Sequence, residues 1–288
     1  MVRSLNSGVS GIQQFQERMD VIGNNIANVN TTGFKSARVD FADAFSDTIR
    51  PSSSSTINTA ATPALQVGSG VTTSAIKNIY TQGGVNRTGY PTDLAIAGEG
   101  FFIVRDPVSL VEYATRSGDF RVDSNRYLTT NTGLHVQGFN DSGQSVRGDI
   151  RVDDLDRPST VDPSAVMTGF SIDTEGRIKI KLSNGSEFVR GQILMQSFLD
   201  NQGLVKEGSN LYSGLAEAGP LGGSSAPLAQ APGSNGLGRI ESGALELSNV
   251  DLANEFASVI TTQRAFQASA RIITTSDEML QELVNLKR

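Results

Sequence analysis

The chain has 288 residues and carries 24 basic against 30 acidic side chains, a formal net charge of −6. This mild acidity argues against a nucleic-acid partner, which usually needs a basic stripe, and against docking on anionic lipid by charge alone. The absence of cysteine excludes disulfides, thiolate zinc sites and cysteine nucleophiles.

No segment has the pattern of a membrane span or a cleaved leader. The longest apolar runs, such as residues 101–104, are far shorter than the roughly 20 residues needed to cross a bilayer. The first residues are polar and lack the apolar core of a secretory signal peptide. We therefore expect no membrane insertion, and either a cytosolic location or export that leaves the N-terminus intact.

Apolar residues near the N-terminus recur every seven positions. Two interleaved series, three residues apart, carry this repeat: Leu5, Ile12, Met19 and Ile26, and then Phe15, Ile22 and Val29. They occupy a and d positions of a heptad and predict a helix over residues 4–29. Gly8 interrupts the second series, and each of Gly8 and Gly11 costs about 1 kcal/mol of helix stability relative to alanine. The predicted helix therefore needs a partner.

Two linker-like segments flank a β-rich middle. Residues 51–63 are polar with few large apolar side chains, and residues 213–238 are rich in Gly, Ala, Ser and Pro. Segments of this composition bury little surface, so we expect them to be extended or poorly ordered until packed. Between them, residues 177–182 alternate, turn at 183–185 and return through 187–189, which predicts an antiparallel hairpin.

The C-terminal segment repeats the heptad. One series is continuous and consists of Leu245, Leu252, Val259, Phe266, Ile273 and Leu280. A second series consists of Phe256, Ala270 and Val284, with polar residues at 263 and 277. We predict a helix over residues 249–286, with Ser248 and Asp251 at its N-terminal cap.

The pattern as a whole predicts an α+β protein. Discontinuous N- and C-terminal helices (1–35 and 245–288) would form a coiled-coil-like terminal domain, with extended connectors at 36–74 and 216–244. Residues 75–215 would form a central, mainly antiparallel β domain. The heptad faces indicate that the two ends pair with each other or with neighbouring copies. The alternative is two amphipathic helices packed on an ordinary core.

Candidate chemical groups are few. His135 is the only histidine, and alternation places it on an exposed strand face without the partners that a general base needs. Residues 98–100 lack the third glycine of a dinucleotide-binding loop. Asp153, Asp154 and Asp156 lack the ligand spacing of an EF-hand, so we expect them to form a solvated acidic turn. We predict no catalytic residue, no cofactor and no metal site.

Residues 20–35, DVIGNNIANVNTTGFK, carry a specific resemblance. This stretch resembles the N-terminal signature of the bacterial flagellar rod and hook protein family. Its asparagines can bond the free carbonyls at the end of the helix, and Gly33 permits a turn. Residues 92–104 (TDLAIAGEGFFIV), 113–120 (YATRSGDF) and 208–212 (GSNLY) are similar to later blocks of the same family.

The C-terminal sequence indicates which members of this family the chain resembles most. Residues 247–252 (LSNVDL) resemble both hook and distal rod proteins, whereas residues 263–271 (QRAFQASAR) and 283–288 (LVNLKR) look like the hook version in a short form without an inserted outer domain. The resemblance implies a structural subunit of the hook that polymerises into a curved, flexible tube and acts as a universal joint between rod and filament. A distal rod protein of the basal body is the alternative.

The resemblance also implies partners and a location. These are copies of the chain itself, the distal rod and hook–filament junction proteins, the hook cap and the flagellar type III export apparatus. The chain would lie in the hook or basal body, outside the cell after export without cleavage. Its self-assembly residues would be large apolar heptad residues of the two terminal helices, namely Leu5, Ile12, Phe15, Met19, Ile22, Ile26, Val29, Leu252, Phe256, Val259, Phe266, Ile273, Leu280 and Val284. A hypothesis from another class is a secreted adhesin or glycan-binding β module with helical ends.

Overall fold

The computed structural model describes residues 2–54, 60–154, 157–158, 164–221 and 229–286. The chain forms two compact units, each assembled from separate stretches of sequence. The first unit contains Met1–Ala27, Ser36–Ile79 and Val250–Arg288, and the second contains Asn28–Lys35 and Tyr80–Asn249.

The first unit consists of two helices and four strands: α1 (Val2–Ala27), β1 (Ala37–Asp43), β2 (Ser46–Arg50), β3 (Leu65–Gly68), β4 (Val71–Asn78) and α2 (Leu252–Leu286). β1 pairs with β4 and β2 pairs with β3, both antiparallel. The stretch 36–74, expected to be an extended connector, thus contributes to two antiparallel two-stranded ribbons, the first of which extends to Asn78. Residues 55–59 of that stretch lie outside the described residues.

Both helices begin and end close to the predicted positions. The predicted α1 started at residue 4 and continued to 29, whereas the helix covers Val2–Ala27. The predicted cap of α2 included Ser248, but Asp251 provides it: its Oδ1 accepts a hydrogen bond from the backbone N–H of Ala253 at 2.9 Å. α2 accordingly starts at Leu252.

The second unit is built from short strands. These are β5 (Val85–Arg87), β6 (Leu94–Ala97), β7 (Phe101–Arg105), β8 (Glu112–Thr115), β9 (Phe120–Val122), β10 (Leu128–Thr130), β11 (His135–Phe139), β12 (Arg147–Asp149), β13 (Met167–Ile172), β14 (Arg177–Leu182), β15 (Glu187–Ile193), β16 (Met195–Gln196), β17 (Val205–Gly208), β18 (Leu211–Ser213), β19 (Arg239–Ser242) and β20 (Ala244–Glu246). A 3₁₀ turn, Asn201–Gly203, precedes β17.

The largest sheet has the order β13-β14-β15-β11-β7-β8-β18-β17, and its pairings are antiparallel. Four further strands belong to this sheet but lie off that order: β10 pairs with β11 and β9, β12 pairs with β11, and β16 pairs with β7. Two separate antiparallel pairs are β19–β6 and β20–β5. The predicted hairpin is β14–β15, in which Lys181 pairs with Glu187. The predicted α+β class, with helices at both ends and a central antiparallel β domain, is confirmed.

Two hydrophobic clusters fill the second unit. The larger is centred on strand residues such as Leu94, Phe102, Val136, Ile178 and Ile193. The smaller cluster joins the opposite face of β7 to β18 and to the segment between β16 and β17, through Phe101, Ile103, Phe198, Leu204 and Tyr212. Successive residues from Phe101 to Val104 therefore face two different clusters, so that this part of β7 is buried on both faces.

The compact units divide the chain at different residues from the predicted domains. Residues 28–35 group with the β-rich unit and residues 36–79 group with the helices. The second predicted connector, 216–244, falls within the β-rich unit, and its residues 222–228 lie outside the described part. Among the described residues, neither helix combines the length and apolarity that a membrane span requires.

Candidate functional site

The helices of the first unit approach each other through small residues. Gly8 and Gly11 of α1 are buried, as is Ser269 of α2. A Cβ atom at Gly8 would lie 3.0 Å from Ile273 Cγ1 and 3.4 Å from the Ser269 backbone oxygen. A Cβ atom at Gly11 would lie 3.0 Å from Ser269 Oγ. Gly8, which interrupts the heptad series, and Gly11 are therefore residues that permit close helix packing.

We call the face of α2 that packs against α1 the α2 seam. One row of side chains on this seam is polar. Thr262, Ser269 and Ser276, seven residues apart, are the buried residues of this helix. The hydroxyl of Ser276 lies 3.4 Å from that of Ser4 on α1. This row stands one residue before positions 263, 270 and 277 of the predicted second series. Small hydroxyl side chains thus occupy the buried positions of α2, and one of them, Ser269, is where Gly8 and Gly11 of α1 approach.

The predicted self-assembly residues of α2 fall into two groups. Half-buried side chains on the seam are Val259, Phe266, Ile273 and Leu280. Exposed side chains are Leu252, Phe256 and Val284, of which Phe256 is 54% and Val284 64% exposed. Within the described residues, the chain thus covers the first group more fully and leaves the second exposed.

The predicted residues of α1 are mostly covered. Half-buried side chains are Leu5, Ile12, Phe15, Met19 and Ile26, and Ile22 is buried. Val29 lies in a turn of the second unit, because α1 ends at Ala27. The structure therefore brings six of the seven residues together on the helix.

Part of the α1 face packs on the β1–β4 ribbon. The rings of Phe15 and Phe41 meet edge to face with centroids 6.0 Å apart. The guanidinium of Arg18 lies 6.0 Å from the centre of the Phe41 ring. Thr73 Oγ1 donates to Glu17 Oε2 at 2.6 Å. The ribbon thus covers a flank of α1 for which the heptad pattern predicted a helical neighbour.

Exposed apolar side chains flank the α2 seam on both sides. We call them the α2 flanks: Phe256, Ile260 and Val284 on one side, and Ile272, Met279 and Leu286, spaced by seven residues, on the other. In a heptad, positions beside the seam contact further helices of a bundle. Large apolar side chains that a helix exposes beside its packed face mark a candidate interaction surface. The α2 flanks are therefore the candidate self-assembly surface.

Asn25, in the signature stretch, ties the first unit together. It is buried, and its Nδ2 donates to the Ala37 carbonyl at 2.8 Å and to Glu255 Oε1 at 3.0 Å. The backbone N–H of Ala37 donates back to Asn25 Oδ1 at 3.0 Å. One amide thus joins the end of α1 to the start of β1 and to the first turn of α2. We expected this side chain to bond free carbonyls of its own helix, and instead it bonds groups distant in sequence.

The rest of the signature builds a buried ion cluster in the second unit. Lys35 Nζ donates to Glu246 Oε1 at 2.6 Å and to the Thr81 carbonyl at 2.8 Å, and the side chains of Lys35 and Glu246 are wholly buried. Arg116 Nη1 lies 3.4 Å from Glu246 Oε2. Gly33 has a φ of 68°, and a Cβ there would lie 2.7 Å from the backbone of Arg116, so only glycine fits this turn.

Burial sets the electrostatics of this cluster. Burial lowers the pKa of the Lys35 ammonium below its ordinary value, and the Glu246 carboxylate opposes that shift. Burial likewise raises the pKa of the Tyr212 hydroxyl, so Tyr212 stays neutral. The cluster makes hydrogen bonds within the chain and fixes the signature loop against β20, which is a structural role.

Two sequence expectations about charged residues differ from the structure. His135 is half-buried, stacks on Tyr127 with ring centroids 4.6 Å apart, and its Nδ1 lies 2.9 Å from Asp149 Oδ2. Asp153 is not solvated but buried, and it accepts a hydrogen bond from Arg190 Nε at 2.8 Å. Asp156 lies outside the described residues. Both contacts link strands and loops of the β unit.

The described residues contain no group of three or more His, Asp or Glu side chains placed to hold a metal ion.

Sequence reasoning missed Gly8, Gly11 and the hydroxyl row of α2 as packing residues. The hydroxyl row did leave a signal in the sequence, because its residues keep the seven-residue spacing. An analysis of hydrophobic periodicity does not count serine and threonine and therefore overlooks this row. It also missed Glu246, since nothing local shows that this carboxylate meets Lys35.

Comparison with known families covers both ends and the middle of the chain. Residues 5–35 match the family described as flagella basal body rod protein, and residues 241–286 match the flagellar basal body rod FlgEFG protein C-terminal family. Residues 95–180 match the flagellar hook protein FlgE/F/G D1 domain. The two end matches fall on the paired helices and the signature stretch.

Full-length relatives agree with these matches. The flagellar basal-body rod protein FlgG of Bacillus subtilis is 41% identical over 288 residues, covering 100% of both chains. FlgG of Borreliella burgdorferi is 36% identical over 291 positions, again covering 100% of both. The flagellar hook protein FlgE of the same species is 28% identical over 449 positions and covers 100% of both.

Proposed function

We propose that this chain, which belongs to the family of flagellar rod and hook proteins, is a subunit of the distal rod of the flagellar basal body. Members of this family are structural proteins of the flagellum. The observation that carries the proposal is the 41% identity to a basal-body rod protein along the entire length of both chains. That alignment spans 288 positions, the same as the number of residues in this chain.

The hook remains the second candidate, supported by residues 263–271 and by full coverage of a hook relative. Its alignment extends over 449 positions, so the hook protein has segments with no counterpart among the 288 residues here. The rod relatives show no such surplus and are more similar in sequence. Length and identity therefore favour the rod.

The proposed mechanism is helical self-assembly through the terminal helices. The seam between α1 and α2 is made within the chain, whereas the α2 flanks expose apolar side chains on both of its sides. A helix with two such flanks can pack against helices of two neighbouring copies, one on each side, as the wall of a tube requires. Contacts that repeat head to tail without closing a ring then build a helical polymer.

The remaining assignments are part of the proposal. The principal partner is the chain itself, and the subunit reaches its place through the flagellar type III export apparatus without cleavage. The rod meets the hook at its distal end, whereas contact with the hook cap and the hook–filament junction proteins belongs to the hook candidate. We propose no enzymatic activity, no cofactor and no catalytic residue.

Immunogold electron microscopy on flagella isolated with their basal bodies tests this assignment. An epitope inserted between Ser142 and Gly143, in the loop from β11 to β12, leaves both helices intact. Label on the straight rod is the expected result. Label on the curved segment above the rod would move the assignment to the hook. If motile cells express the tagged protein but their flagella carry no label, both assignments are refuted.

A further inference from the structure

The turn between β7 and β8 has two unusual features. We call residues 106–111 the hairpin tip. Val108 is 89% and Leu110 63% exposed, and Val111 is also exposed. Leu110 has a φ of 60°, in the left-handed region that branched side chains rarely adopt. The tip thus presents apolar side chains to solvent from a backbone conformation that is unfavourable for leucine.

The hairpin tip is nevertheless an ordered turn. Asp106 Oδ1 accepts from the Val108 N–H at 2.9 Å, and Oδ2 accepts from Ser109 Oγ at 2.7 Å. The Leu110 N–H donates to the Asp106 carbonyl at 2.9 Å. These hydrogen bonds lower the pKa of the Asp106 carboxyl below its ordinary value, so the tip carries a negative charge. Observed strain that surrounding bonds hold in place is a reason to look for a function.

A pocket of about 270 Å³ lies at the other end of the same hairpin. We call it the aromatic pocket, and it is lined by Tyr80, Glu99, Phe101, Arg116, Phe198 and Asn201, among others. Arg116 stacks 5.2 Å from the Phe101 ring centre. Nε of Arg116 is buried without a hydrogen-bond partner in the described part of the chain. The pocket therefore combines aromatic walls with a buried cation that retains hydrogen-bonding capacity.

The geometry of the hairpin separates tip and pocket. Arg105 pairs with Glu112 next to the tip, and Phe102 pairs with Thr115 next to the pocket. Five strand residues at about 3.4 Å each place the two ends roughly 17 Å apart. The tip therefore cannot enter the pocket of its own chain. It can enter the pocket of another copy.

We propose that the hairpin tip of one copy inserts Leu110 into the aromatic pocket of the next copy. The inference rests on the proposed function, because it supplies a contact for the outer β units of a polymer. Knob and pocket occupy opposite ends of one hairpin, so the contact is heterologous and joins copies head to tail. The match is one of shape and polarity, because an exposed apolar side chain meets aromatic walls formed by Tyr80, Phe101 and Phe198. The charge of Arg116 already has a partner in its own chain, since Nη1 lies 3.4 Å from Glu246 Oε2.

Paired cysteines provide the direct test, because the chain contains no cysteine. The full chain carrying Leu110→Cys and Glu99→Cys is assembled, checked by electron microscopy and oxidised. Both sites are exposed, and a disulfide forms only when their Cα atoms come within about 7 Å. We expect a ladder of cross-linked dimers, trimers and higher species. The matched control pairs Glu99→Cys with Val146→Cys, an exposed residue before β12, and should give no ladder.

A second variant separates the contact from folding. Leu110→Asn suits a positive φ and removes the apolar knob, so the free chain should keep its melting temperature while the critical concentration for assembly rises about tenfold. Arg126→Asn, at another residue with positive φ (65°), should leave that concentration unchanged. Polymers without a ladder, or an unchanged critical concentration in Leu110→Asn, would overturn the inference and leave the proposed function intact. Failure of the unmodified chain to polymerise at all would refute both.

Discussion

Replacing Gly8 by leucine distinguishes the observed helix seam from a plain heptad. The sequence pattern assigns an apolar residue to this position, so a heptad alone predicts stabilisation: about 0.8 kcal/mol from helix propensity and about 1.5–3 kcal/mol from a newly buried leucine. In the structure, however, a Cβ at Gly8 already lies 3.0 Å from Ile273 Cγ1 and 3.4 Å from the Ser269 carbonyl oxygen. The neighbouring side chain and helix must therefore shift to accept a Cβ, and a whole leucine side chain requires a larger shift.

Overpacking of this kind costs about 1–3 kcal/mol. Gly23→Leu is the matched control, because a Cβ at Gly23 meets no atom within 4 Å and the same helix gains the same propensity. We therefore expect Gly8→Leu to be about 1–3 kcal/mol less stable than Gly23→Leu. With a slope near 2 kcal/mol per molar urea, the two midpoints should differ by about 0.5–1.5 M.

Urea unfolding followed by circular dichroism at 222 nm measures this difference, because the signal comes mainly from α1 and α2. A Gly8→Leu variant as stable as Gly23→Leu, or more stable, would show that the helices are not held together by the small-residue seam.

Three further outcomes follow from the other contacts. Glu246→Gln leaves the buried Lys35 and Arg116 cations without their carboxylate and should lower the free energy of unfolding by about 3–5 kcal/mol. Combination with Lys35→Met should restore part of this loss, because Arg116 still lacks the carboxylate; urea unfolding measures both. Asn25→Ala removes the bonds to the β1 backbone and should cost about 1–3 kcal/mol in the same assay. Although burial opposes ionisation of Asp149, hydrogen bonds from His135 and a neighbouring amide and arginine hold its pKa below the ordinary value. Its contribution to stability is therefore present at neutral pH and lost as pH falls below about 4, and Asp149→Asn should flatten the melting temperature profile there.

Local sequence patterns predicted the regular elements well. The seven-residue repeats gave both helices to within three residues at each end, and the alternation and turn at residues 177–189 gave the β14–β15 hairpin. These features depend on side-chain periodicity and turn chemistry within a short window. The signature stretch also identified the family before any contact was known.

Long-range pairing could not be predicted in this way. Asn25 bonds Glu255, which lies 230 residues further along the chain, and Lys35 bonds Glu246 across 211 residues. The self-pairing of residues 37–78 was missed because these strands are half exposed and carry few large apolar side chains. The hydroxyl row of α2 was missed because hydrophobic periodicity does not count serine and threonine. In each case the stabilising partner is set by the fold and not by neighbouring residues.

The central claim is that this chain builds the distal rod, and the basal bodies of a strain lacking it test that claim most directly. Electron microscopy of purified basal bodies should show a rod that stops short, without a hook or filament, and expression of the intact chain should restore all three. A complete rod that lacks only the hook would contradict the assignment and identify the chain as the hook subunit.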